Sequence, residues 1–314
     1  MSSFKLRLAL DWTPNTNHTG FYVAQSLGYY SEQGIELSID PPSNTYEQHE
    51  TPARKVVNGS ADLCIAPSES AISCYLSRND DNIKPIAIAA ILQRDNSAIV
   101  TNDLSIKSPK DLSNRTYASL AGRFEMNIVN EIVKKDGGTN VIERNPPKLD
   151  CFDSMLRGEA DSTWIFLGWE GIEANRANVP LNKFPLPNYG YSPLLLANPD
   201  LLKNNGDVLK RFLKCTERGY QYAIKNPEAA AKILYETANH PSLHKLTLDF
   251  VIEAQQYLSD GGYYLTEDEK WGLMDNERWI DFIHWLIDND CLYLNGKVIK
   301  EVNHKNLYTN ELFK

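Results

Sequence analysis

The chain has 314 residues, enough for about two domains of ordinary size. Its 42% hydrophobic and 23% charged content supplies material for a substantial core. Its 41 acidic against 32 basic residues leave a formal charge of −9, which argues against a protein that grips a nucleic-acid backbone, since that needs a basic stripe. The longest apolar run, Ile86 to Leu92, falls far short of the ~20 residues that cross a bilayer, so no membrane-spanning helix is expected.

The predicted elements alternate from the start. Phe4–Leu10 alternates apolar and charged residues as a strand does, and Gly20–Gln33 has helical spacing and ends at Gly34, a residue suited to a left-handed helix terminus. Ile35–Ile39 reads as a strand, Thr51–Asn58 as a helix, Asp62–Ala66 as a buried strand, Ser68–Ser77 as a helix and Pro85–Leu92 as an apolar strand. The pattern then restarts. Ser97–Thr101 is a strand, Ser108-Pro109 starts a short helix, Thr116–Leu120 is a strand, Glu125–Lys135 a helix, Cys151–Arg157 a short helix and Ser162–Leu167 another buried strand. Pro185, Pro187, Asn188, Gly190 and Pro193 break this block.

The remainder reads as largely helical. One face carries Leu209, Phe212, Leu213, Thr216 and Tyr220, another Leu246, Phe250, Val251, Ala254 and Tyr257, and a third Trp279, Ile283, Leu286 and Ile287. Asn226-Pro227 and the capping box Thr266-Glu267-Asp268-Glu269 mark helix starts, and Trp271, Trp279 and Trp285 fall at core spacing. The fold class is therefore α/β, two lobes each with a mostly parallel sheet flanked by helices, and a helical final third. Lobe one is expected over residues 1–94 plus 192–314 and lobe two over 95–191, with crossovers at 92–101 and 185–193. A ligand is expected in the cleft between them, at the carboxyl ends of strands.

Candidate binding residues concentrate at the strand exits. The first exit offers Asp11, Trp12, Asn15 and His18. The third offers Ser68 and Glu69, with Ser68 readable either as a helix cap or as a ligand hydroxyl. In lobe two, Gly122, Arg123 and Phe124 precede a helix whose N–H groups, helped by the arginine, suit an anion such as phosphate. Trp164, Phe166, Trp169 and Glu170 follow, and then Tyr189 and Tyr191 at the second crossover. Flat aromatic faces suit a planar heterocycle, and Asp11, Glu69 or Glu170 could accept hydrogen bonds from an amino group on it. No catalytic residue is assigned, because no nucleophile elbow or HExxH is present. The five scattered cysteines, Cys64, Cys74, Cys151, Cys215 and Cys291, form no metal motif and read as reduced core thiols. Met1-Ser2-Ser3 leads straight into the first strand without the apolar core of a signal peptide, which points to the cytoplasm. The alternative is an exported protein whose leader is missing from this sequence.

These residues carry a resemblance. Leu10-Asp11-Trp12-Thr13-Pro14, His18, Ala24-Gln25-Ser26-Leu27-Gly28-Tyr29-Tyr30 and Glu32-Gln33-Gly34 resemble the opening of the thiamine-pyrimidine synthase and pyrimidine-binding-protein family. That family is a branch of the type-2 periplasmic-binding-protein fold, similar also to alkanesulfonate-binding proteins. Gly59-Ser60-Ala61-Asp62, Gly158-Glu159-Ala160-Asp161 and Tyr308-Thr309-Asn310-Glu311 are similar to the family's turns and tail.

The resemblance implies a binder of a thiamine-related aminopyrimidine or its phosphate, needing no cofactor or metal. Such a protein would take a small-molecule ligand, with a transporter or a second copy of the chain as partner. The alternative it implies is a synthase using pyridoxal phosphate and iron, whose lysine and histidine would fall near Ala66 and Ser70 and whose cysteine-rich run would fall near 188–196. None of those residue types stands there. A second alternative is an uptake protein for sulfonate- or nitrate-like anions.

Overall fold

The computed structural model describes residues 3–42, 50–77, 83–146, 150–186, 190–294 and 297–314. Through the first block run β1 (Phe4–Ala9), α1 (Thr19–Ser26), α2 (Tyr29–Glu32), β2 (Ile35–Asp40), α3 (Pro52–Val57), β3 (Leu63–Ala66), α4 (Ser68–Tyr75) and β4 (Ile86–Ala90). The second holds β5 (Ser97–Thr101), β6 (Thr116–Ala118), α5 (Glu125–Lys135), β7 (Ile142–Arg144), α6 (Cys151–Leu156), β8 (Ser162–Phe166), α7 (Glu170–Arg176) and β9 (Asn182–Pro185). Then come β10 (Leu194–Ala197), α8 (Pro199–Asn204), α9 (Gly206–Lys225), α10 (Pro227–Thr237), α11 (Pro241–His244), α12 (Leu248–Asp260), α13 (Asn276–Asp288), β11 (Tyr293–Leu294) and β12 (Lys297–Val298).

The chain forms two units, one of Met1–Arg94, Gly190–Ile283 and Glu301–Lys314, the other of Asp95–Tyr189 and His284–Lys300. The division after Arg94 falls inside the expected crossover; His284–Lys300, expected with lobe one, packs with the second unit.

Each unit holds a five-stranded sheet of the same design. The first has the order β2-β1-β3-β10-β4 and the second β7-β6-β8-β5-β9. β1 pairs in parallel with β2 and β3, and β10 runs antiparallel to both β3 and β4. In the second sheet β6 pairs in parallel with β7 and β8, and β5 runs antiparallel to β8 and β9. In each sheet the reversed strand is the one that has just arrived from the other unit.

A shared turn sets the register of both. Gly59 and Gly158 take positive φ (80° and 73°), which a side chain would strain. Two residues on, a buried alanine is followed by an aspartate that bonds back to the neighbouring strand. Asp62 Oδ2 accepts the Arg7 N–H (2.9 Å), and Asp161 Oδ2 accepts the Thr116 N–H (2.7 Å).

Burial follows from position in the sheet. The central β3 is covered on both faces, with Leu63, Cys64 and Ile65 at 0% exposure. In the second unit Ile165 packs with Ala98, Val100, Phe152, Met155 and Ala174. Strand alternation therefore turns Trp164 and Phe166 to the other face. The edge strand β7 is exposed throughout, so it carries no apolar signal and the sequence reading passed over it. α9 buries the expected Leu209, Phe212, Leu213, Thr216 and Tyr220, and each large apolar side chain among them contributes about 1.5–3 kcal/mol. α1 lies so close against α9 that a Cβ on Gly219 would sit 2.0 Å from the Gly20 carbonyl oxygen.

Three expectations need correction. The helix read over Gly20–Gln33 is two helices, because Gly28 turns into the left-handed region (φ 77°) between them. The box at Thr266–Glu269 caps no helix. Its Thr266 N–H bonds to the Lys270 carbonyl and Glu269 takes a φ of 59°, making a tight turn between the bridged Leu265 and Trp271. Leu246 precedes α12 instead of lying on it. Of the core tryptophans, Trp271 and Trp279 are each 1% exposed and Trp285 is partly buried. Among the described residues no helix is long and apolar enough to cross a membrane.

Candidate functional site

In the first unit the loop leaving β1 is held from below. Tyr220 donates its hydroxyl to the Asn17 carbonyl (2.6 Å) and Tyr264 to the Thr16 carbonyl (2.8 Å). His18 is fully buried and ties the loop to itself. Its Nδ1 accepts the Asn15 N–H (3.2 Å), so the ring proton lies on Nε2, where it donates to Asp11 Oδ1 (2.8 Å). Asn15 accepts the Asn17 N–H and donates to the Thr13 carbonyl, so both ends of its amide are engaged inside the loop. Of this set, Asp11 and Trp12 keep partial exposure. Asp11 and His18 are brought together; His18 and Asn15 are internal supports.

β3 leaves the sheet beside β1 and leads into α4, whose N-cap position is Pro67, so Ser68 is not the cap. Ser68 is buried and locked to Tyr191. Its N–H donates to the Tyr191 carbonyl (2.9 Å), its Oγ accepts the Tyr191 N–H (3.1 Å), and the hydroxyl donates to Glu69 Oε2 (3.1 Å). Gly190 is required here, because a Cβ would lie 2.1 Å from Ser68 Oγ. Tyr191 is 2% exposed, accepts the Asp275 N–H on its hydroxyl (2.7 Å) and is covered at 3.9 Å by the guanidinium of Arg278. Burial pushes its phenol up. The tyrosine expected to offer a stacking face is therefore buried and stacked by an arginine. Sequence reasoning missed Arg278, which also donates to the Gly190 and Gln93 carbonyls. Tyr189 lies outside the described residues.

In the second unit the Gly122 loop leaves β6 for α5. Its N–H groups were expected to await an anion, but they already hold one. Leu120 N–H donates to Glu125 Oε1 (3.0 Å) and Gly122 N–H to Glu125 Oε2 (2.9 Å), while the Tyr117 hydroxyl donates to Oε1 (2.8 Å). Arg123 donates to the Tyr293 carbonyl (2.8 Å) and lies over the ring of Phe124, itself 1% exposed. The signal for Glu125 was an acid three residues beyond a glycine at a helix start.

The exit of β8 gathers three aromatic side chains and an acid. Trp164, Phe166, Trp169 and Glu170 are all partly buried. Asn96 steadies the turn by accepting the Leu167 N–H (2.7 Å) and the Gly168 N–H (3.2 Å). Glu170 opens α7, and its Oε2 accepts the Phe166 N–H (3.0 Å). Burial pushes its carboxyl up to about 7; the N–H groups of Glu170 and Phe166 offset part of the rise, and the charges of Glu173 and Asp153 add to it.

The two sheets, each with a single reversed strand, define the class of periplasmic-binding-protein-like folds. The periplasmic nitrate-binding protein NrtA from Synechocystis PCC 6803 superposes with a TM-score of 0.70 over 99% of this chain and 87% of its own, at 12% identity. Residues 15–230 match the family described as NMT1/THI5 like, and the chain belongs to it. Its relatives include a formylaminopyrimidine-binding protein of Halalkalibacterium halodurans, 24% identical over 91% of this chain and 86% of that protein. A 4-amino-5-hydroxymethyl-2-methylpyrimidine phosphate synthase of Legionella pneumophila is 25% identical over 74% of each.

Pyridoxal phosphate does not fit the positions where the family resemblance would anchor it. Ala66 is a buried methyl at the end of β3, and Ser70 stands one turn into α4, so neither supplies an amine or an imidazole. All five cysteines are free thiols; Cys74 is partly buried and the others are buried. Among the described residues no three His, Cys, Asp or Glu side chains cluster as metal ligands.

Proposed function

We propose that this chain is a solute-binding protein for a thiamine-related aminopyrimidine. Each unit carries a set of groups for such a ring: Asp11 and Trp12 in the first, Trp164, Phe166, Trp169 and Glu170 in the second. Indole and phenyl faces stack on a planar heterocycle. Glu170 carries the reading furthest. An amino group beside a ring nitrogen presents a donor and an acceptor side by side, and a carboxyl held near 7 matches both while protonated: its O–H donates to the nitrogen and its other oxygen accepts from the amine. The kinship with a formylaminopyrimidine-binding protein supports the same ligand class.

Titration calorimetry with 4-amino-5-hydroxymethyl-2-methylpyrimidine tests this. Affinity is expected to fall as pH rises through about 7, where Glu170 loses the proton it donates. Glu170→Gln, which keeps one donor and one acceptor, retains binding and removes that dependence; Glu170→Ala costs about 1.5–3 kcal/mol. A folded protein that ignores the pyrimidine, or a Gln variant as weak as the Ala variant, sinks the assignment.

The fold shared with a periplasmic binding protein supports an exported protein that delivers its ligand to a membrane importer, in place of the cytoplasmic location expected from the sequence. Fractionation of the source cells checks this. Recovery of the protein with cytosolic markers alone would return it to the cytoplasm.

A further inference from the structure

We propose that the chain selects the unphosphorylated pyrimidine and rejects its monophosphate, because Glu125 fills the N–H cradle of the loop from β6 to α5, a place suited to an anion. This rests on the aminopyrimidine reading and adds the charge state of the ligand. The loop from β6 to α5 lies at the carboxyl end of a parallel strand and at the positive end of a helix of 11 residues, where phosphates are commonly held.

Each N–H from Ser119 to Gly122 is engaged within the unit. Ser119 donates to the Arg144 carbonyl (2.8 Å), Leu120 and Gly122 to the two oxygens of Glu125 (3.0 and 2.9 Å), and Ala121 to Ser119 Oγ (2.9 Å). The Tyr117 hydroxyl adds another donor to Glu125 Oε1. Glu125 is 7% exposed, and the groups bonded to its oxygens are all donors, the company a carboxylate keeps. The cradle fits it closely, since a Cβ on Gly122 would lie 3.4 Å from Oε2. A phosphate entering here would meet a buried negative charge instead of free N–H groups. Arg123 does not reverse this, because its guanidinium donates to the Tyr293 carbonyl and rests on Phe124.

Calorimetry on the full chain, with 4-amino-5-hydroxymethyl-2-methylpyrimidine and its monophosphate side by side, tests the proposal. The wild type is expected to bind the alcohol at least about tenfold more tightly than the monophosphate. Glu125→Gln keeps an oxygen for Tyr117 and Leu120 but sets an amide nitrogen against the Gly122 N–H. That frees this donor and removes the charge. Its monophosphate affinity should rise about tenfold while the alcohol changes by less than about threefold.

Equal binding of the two ligands by the wild type, or an unchanged preference in a folded Gln variant, overturns the proposal. Where that variant folds poorly, competition decides on the wild type alone: inorganic phosphate should leave binding of the alcohol unaffected, and displacement by phosphate refutes the selection. If the wild type binds neither pyrimidine, the aminopyrimidine reading itself fails.

Discussion

The loops leaving β1 and β6 occupy equivalent places in two sheets of one design, yet they treat their carboxylates in opposite ways. After β1, a buried imidazole steadies Asp11 and leaves it partly exposed. After β6, the loop curls its own N–H groups around Glu125 and buries it. One loop offers a fixed acceptor outward and the other turns its anion inward. Shared topology thus sets where a loop begins, and one side chain decides whether its backbone amides remain available to a ligand.

Glu125→Ala should give the largest effect. It strands the buried Tyr117 hydroxyl and unpairs the Leu120 and Gly122 N–H groups, which water can partly reach, so one buried donor at about 1–3 kcal/mol plus smaller losses at the two N–H groups predict a loss of about 2–4 kcal/mol in denaturant unfolding. His18→Ala should cost less, about 2 kcal/mol, since only the Asn15 N–H is stranded in the interior while Asp11 can turn to water. If His18→Ala proves the costlier of the two, the contrast between an inward and an outward carboxylate is wrong.

The smallest effect concerns Glu170. Its folded carboxyl titrates near 7, whereas the unfolded one titrates near ~4.3, so the folded state holds the extra proton and stability falls as pH rises between those values. Glu170→Gln should flatten that slope and be more stable than wild type above pH 7 by about 1 kcal/mol, reduced by the group's partial exposure to water. Unfolding midpoints from pH 4 to 8 measure it, and an unchanged slope in the variant would assign the titration to another group.

Much of the fold was legible because periodicity and punctuation reported it directly. Ser97–Thr101 and Glu125–Lys135 match their elements residue for residue, and Gly34 terminates as its position suggested, with φ 67°. Elements that lacked an apolar pattern, or whose apolar run was masked by neighbouring prolines, escaped. β7 is exposed throughout, and β9 and β10 flank a proline-rich stretch that reads as a break. The site was legible as places more than as roles. Strand exits gathered the named residues, but whether an N–H is free depends on where one carboxylate folds back, as at Glu125. Whether an aromatic face is free depends on a residue far along the chain, as Arg278 covers Tyr191. Such facts are tertiary, and spacing does not encode them.

The strand β10 has a consequence for biosynthesis. It lies between β3 and β4, so those two earlier strands cannot be joined until Leu194–Ala197 has been made. A ribosome releasing this chain would hold the first sheet gaping while β5 to β9, all already translated, assemble into a complete sheet of their own. The usual amino-terminus-first order of maturation would then be inverted, with the half that emerges earliest sealed only after its neighbour's sheet has formed.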